Sequence, residues 1–102
     1  MKLTVVSYQT KPKSADDNER LIQAVFQELR GTSREDVRYL ALRLGDGTFI
    51  HVSIADTEDG ASPIPRLEAF RSFQSGLKER CVEPPQQNDA TIVGNYRMFG
   101  EP

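Results

Sequence analysis

A β-branched strand, an amphipathic helix, two alternating runs joined by Gly45-Asp46-Gly47, a second amphipathic helix and a closing strand together predict an α+β fold. Elements in that order form a ferredoxin-like βαββαβ unit, a four-stranded antiparallel sheet with two helices on one face. A single domain over residues 1–102 is expected, since domains most often hold about 100–150 residues and no shift in composition divides this chain.

Lys2–Gln9 is rich in β-branched and aromatic residues and reads as the first strand. Lys11-Pro12-Lys13 ends it, because proline cannot donate to a ladder. Over residues 14–30, Leu21, Ile22, Val25, Phe26 and Leu29 share one helical stripe. Asp16, Asp17 and Glu19 set negative charge in the first turn, where the helix dipole favours it, and Gly31 is the expected left-handed cap.

Residues 37–44 and 48–55 alternate and are separated by a glycine-flanked loop, a hairpin signal. A two-residue Asp46-Gly47 turn sets Leu44 against Phe49 and mixes polar and apolar side chains on both faces. A three-residue loop with Gly47 in the left-handed conformation pairs Leu44 with Thr48, Leu42 with Ile50 and Leu40 with Val52, which separates the faces. One face then carries Leu40, Leu42, Leu44, Ile50, Val52 and Ile54. The other carries Tyr39, Ala41, Arg43, Phe49, His51 and Ser53. The aliphatic set is expected under the helices and the mixed set on the uncovered side, where exposed aromatic residues mark an interface or a ligand site. Which face Tyr8, Asn95, Tyr96 and Arg97 take is left open by the first and last strands.

After an acidic loop at residues 56–62, Pro63 and Pro65 lead into a second helix with Leu67, Phe70, Phe73, Leu77 and Cys81 on its buried stripe, stopped by Pro84-Pro85. A polar link at residues 86–88 precedes the expected last strand at residues 90–99, and residues 100–102 form a tail.

Thirteen basic against fifteen acidic residues, a net charge of −2, leave no basic stripe to gather phosphates, so nucleic acid is not an expected partner. The N-terminal apolar run turns polar at Ser7, too soon for a signal peptide or membrane span, and no membrane association is expected. A cytoplasmic location follows, and the single cysteine, Cys81, agrees with it. No paired Cys or His stands at metal spacing, and Asp56-Thr57-Glu58-Asp59-Gly60 departs from the calcium-loop pattern, so no metal is expected.

The only histidine, His51, shares its face with Tyr39 and Arg43 and is the candidate catalytic residue, suited to taking a proton from a phenol or enol, or simply bonded within an interface. Tyr39, Arg43, Phe49 and Ser53 are candidate ligand-binding residues. Arg43 suits an anion or enolate, as it does a carboxylate of a second subunit.

The element order, Phe49-Ile50-His51-Val52-Ser53 and Leu67-Glu68-Ala69-Phe70-Arg71-Ser72-Phe73 resemble the antibiotic-biosynthesis monooxygenase (ABM) superfamily of dimeric α/β barrels. The resemblance implies a homodimer whose two sheets pack face to face around a cavity. It also implies a small aromatic or anionic ligand between sheet and helices, and cofactor-independent oxygenation as the chemistry. Members often carry a histidine where this chain has Phe73, and haem-degrading members use a tryptophan, which this chain lacks. Haem is therefore not expected, nor any other cofactor. A non-catalytic homodimer filling the same interface is the alternative.

Overall fold

Residues 2–98 are described by the computed structural model. Strand β1 (Lys2–Gln9) passes through a 3-10 turn (Pro12–Ser14) into helix α1 (Ala15–Thr32), and β2 (Val37–Arg43) with β3 (Thr48–Ala55) forms the hairpin. A second 3-10 turn (Ile64–Arg66) precedes α2 (Glu68–Ser75), α3 (Leu77–Arg80) and β4 (Gln86–Asp89). The strands lie in the order β2-β3-β1-β4, every neighbouring pair antiparallel, which is the ferredoxin-like arrangement.

The hairpin takes the three-residue loop. Leu42 stands opposite Ile50 and Leu40 opposite Val52. Leu44 N–H donates to the Thr48 carbonyl at 2.8 Å. Gly47 has φ +87°, a conformation that side chains resist. Its carbonyl accepts from Thr10 N–H at 3.0 Å, which ties the loop to the end of β1.

The two faces, however, are the reverse of the expected assignment. Phe49 and His51 are 1% and 6% exposed beneath the helices, while Leu40 and Leu42 are each 45% exposed. Alternation decides which side chains share a face, but not which face the helices cover. Here the helices cover the rings. Tyr8 stacks on Phe49 at 5.6 Å and Phe26 of α1 on Tyr39 at 4.7 Å, with Val25, Phe73 and Leu77 closing the layer. Aromatic side chains bury more area than aliphatic ones, and the polar atoms they bring inside are bonded to one another. The register of β1 settles Tyr8, which lies opposite Phe49 and faces inward. The outer face carries Leu3, Val5, Leu40, Leu42, Ile50 and Val52, with Ile54 buried among them.

Three element boundaries also differ. Gly31 lies inside α1, and Ser33, at φ 54°, is the left-handed residue that ends it. The second helix is broken at Gly76 into α2 and α3. The last strand is Gln86–Asp89 rather than residues 90–99. Backbone bonds to β1 hold it and all four side chains are exposed, so it has no hydrophobic alternation to read. Residues 90–98 form no strand and expose Val93, Tyr96 and Met98. Phe99 and residues 100–102 lie outside the described residues. Among the described residues no helix is long and apolar enough to cross a membrane.

The start of α2 is capped from another helix. Leu67 has no side-chain oxygen to serve as a cap, and the two carboxylate oxygens of Glu28 on α1 accept from Ala69 N–H at 2.8 Å and Glu68 N–H at 3.1 Å.

Candidate functional site

A line of hydrogen bonds crosses the layer between helices and sheet. Arg80 Nε donates to Asn18 Oδ1 at 3.0 Å, and Asn18 Nδ2 donates to the Tyr8 hydroxyl at 2.9 Å. That hydroxyl lies 2.8 Å from His51 Nε2, and the Tyr39 hydroxyl lies 2.5 Å from His51 Nδ1. Each position follows from local structure. Asn18 lies on the buried stripe of α1 one turn before Ile22, while Tyr8 and His51 are inward positions of adjacent central strands. The break at Gly76 lets Arg80 fold back, so that its Nη2 donates to the Phe73 carbonyl at 2.6 Å. A Cβ at Gly76 would stand 2.9 Å from Arg80 Nη1.

Burial governs the protonation of these groups. His51 is pushed down from 6.5 to about 4, because an imidazolium here would lose its hydration on burial. Tyr8 and Tyr39 are pushed well above the ordinary phenol value by the same desolvation, partly offset at Tyr8 by the bond from Asn18. At neutral pH all three are uncharged.

Beside this line lies a cavity of about 340 Å³. Its floor is the inner sheet face, with Thr4, Val6 and Tyr8 from β1, Tyr39 from β2, and His51, Ser53 and Ala55 from β3. Its roof includes Ile64, Pro65, Phe70, Phe73 and Leu77. Lys2 is the one side chain on the wall, among the described residues, that carries a formal charge at neutral pH. Among the described residues no cluster of His, Cys, Asp or Glu is arranged to hold a metal.

Of the candidates from sequence, Tyr39, His51 and Ser53 line this cavity. Phe49 is buried behind Tyr8 and Arg43 lies outside. Arg43 Nη1 donates to Asp16 at 3.0 Å and Glu19 at 2.9 Å, both on α1, and the guanidinium sits 5.8 Å from the centre of the Phe49 ring. The anion-holding position expected for Arg43 is thus replaced by a surface pairing within the chain. Asn18 and Arg80 were missed. A polar residue on an otherwise apolar helical stripe is the signal that could have found Asn18, whereas Arg80 depends on the break at Gly76.

The fold is shared with several solved structures. A candidate antibiotic biosynthesis monooxygenase from Nitrosomonas europaea aligns with a TM-score of 0.74 at 14% identity, covering 92% of this chain and 100% of that one. A second antibiotic biosynthesis monooxygenase aligns with a TM-score of 0.74 at 12% identity, with the same coverage. Rv0793 from Mycobacterium tuberculosis aligns at 0.72 with 10% identity, covering 93% and 98%. No family model and no curated protein matches the sequence. The chain thus has the ferredoxin-like fold of the ABM-like proteins.

Proposed function

We propose that this chain binds a small aromatic molecule carrying a carbonyl or acidic hydroxyl, in the cavity between sheet and helices, and works as a pair of identical chains. The observation that carries the reading is the cavity itself. Its volume of about 340 Å³ suits a small ligand, since such pockets start near ~300 Å³. Phe70, Phe73 and Tyr39 supply ring walls, and Lys2 favours a neutral or anionic guest over a cation.

Monooxygenation is the chemistry that the names of the similar structures suggest for such a ligand, and the family resemblance implies that it runs without a cofactor. In this chain both nitrogens of His51 are already engaged, so His51 acts by orienting Tyr39 rather than by taking a proton. The ligand must then be one that ionises readily by itself, with Lys2 placed to favour the anion.

Pairing is supported by the outer sheet face, which the helices leave uncovered and where Leu40, Leu42 and Leu44 are exposed beside half-buried Leu3, Val5, Ile50 and Val52. Titration of the protein with 1-naphthol, followed by NMR, tests the ligand reading. Amide shifts are expected at Tyr39, Ser53, Ala61 and Phe70, and their absence at millimolar naphthol counts decisively against it. Aerobic incubation with isotope-labelled dioxygen then tests the chemistry, with one labelled oxygen expected in the product.

A further inference from the structure

The directions of the bonds between Arg80 and Tyr39 can be derived one after another. A guanidinium only donates, so the Asn18 atom that faces Arg80 is the oxygen and the atom that faces Tyr8 is the amide nitrogen. Tyr8 therefore accepts from Asn18, and among the described residues the proton of its own hydroxyl has one acceptor within reach, Nε2 of His51. With Nε2 accepting, a neutral imidazole holds its proton on Nδ1 and donates it to Tyr39. The Tyr39 hydroxyl proton is then left without a protein acceptor among the described residues, on a side chain that lines the cavity. The reverse arrangement strands the Tyr8 proton in the core with no partner, and a buried orphan donor carries its full desolvation cost.

We infer that Tyr39 is held as a hydrogen-bond donor toward the cavity, so that the site selects a ligand by an acceptor oxygen, a carbonyl or phenolate. The inference rests on the ligand-binding reading above. Asn18 and His51 are positioning residues in this account, and Tyr39 is the group that touches the ligand. The uncharged state of His51 at neutral pH is consistent with the arrangement.

Replacing Asn18 by Asp reverses the whole line. A carboxylate only accepts, so it takes bonds from both Arg80 and Tyr8. Nε2 of His51 must then donate to the Tyr8 oxygen, and Nδ1 must accept from Tyr39, which turns a lone pair toward the cavity.

His51 is the only histidine in the chain, so isotope labelling of histidine gives one unambiguous pair of ring nitrogen signals. The wild type is expected to carry its proton on Nδ1, and Asn18→Asp on Nε2. Two probes report the cavity side: 1-tetralone, which only accepts, and indole, which only donates. Wild type should bind tetralone about tenfold more tightly than indole, the value of one hydrogen bond, and Asn18→Asp should reverse that ranking. A proton on Nε2 in the wild type overturns the inference, as does a folded Asn18→Asp variant with unchanged tautomer and ranking. Should that variant fail to fold, the wild-type spectrum still decides. Should neither probe bind, the cavity-binding reading and its ligand selection fall together, while the tautomer still decides the direction of the bonds.

Discussion

The Tyr8 hydroxyl lies 2.8 Å from His51 Nε2 with both side chains buried, so the only histidine of the chain is kept neutral inside its core. This makes folding sensitive to acid. Unfolded, His51 takes up a proton near its ordinary 6.5, whereas folded it resists until about 4. Its contribution is therefore fully present above 6.5 and is lost progressively as pH falls from 6.5 towards 4. The total is about 3 kcal/mol at 1.36 kcal/mol for each pK unit. Urea unfolding across this window should show the slope, and His51→Gln should flatten it. A slope that persists in that variant would assign the acid loss to other groups.

Removing the carboxylate that caps α2 should loosen the roof of the cavity. Glu28→Ala is expected to cost about 1–2 kcal/mol, as loss of a helix cap does, with Glu28→Gln intermediate. Chemical denaturation measures the loss, and faster amide exchange at Glu68 and Ala69 locates it.

At Gly76 the issue is space rather than backbone strain, since its φ of −113° is open to any residue. Gly76→Ala should push the Arg80 guanidinium from the Phe73 carbonyl and from Asn18. The gain from reduced unfolded-state entropy is at most about 1 kcal/mol, so a net destabilisation is expected. Loss of exchange protection at the Arg80 Nε proton is the specific readout.

Two of the candidate residues divide surface from site. Arg43→Ala removes a surface pairing outside the cavity and should leave naphthol affinity unchanged, while Tyr39→Phe should weaken it. Equal losses in the two variants would place the ligand elsewhere.

Leu42→Asp puts a charge on the uncovered aliphatic face, at an exposed position of the edge strand β2. If two copies bury that face against each other, the wild type sediments as a dimer and its melting temperature rises with concentration, whereas the variant is a monomer without that dependence. A wild-type monomer at micromolar concentration would refute the pairing.

The element order and the hairpin register were legible because both follow from local rules, the polar–apolar alternation and the need of Gly47 for a positive φ. The choice of face was not, because a mixed ring-bearing face and an aliphatic face can each form a core. The usual preference for Leu and Ile inside fails when polar tips such as those of Tyr8, Tyr39 and His51 satisfy one another. Gln86–Asp89 went unread as a strand because the ladder to β1 places no demand on side chains. The cavity residues Tyr39, His51 and Ser53 came from the correct register; Asn18 was marked only by its polarity on an apolar helical stripe, and Arg80 reaches it only through the break at Gly76.

The polar line through the interior has a consequence for how α1 sits on the sheet. A layer packed only by aliphatic side chains can slide by a residue at modest loss, because one methyl contact replaces another. A slide of one residue here would rotate Asn18 away from Tyr8 and leave several buried donors and acceptors orphaned together. The bonded core thus works as a pin, admitting one alignment of helix over sheet where a greasier core would tolerate several.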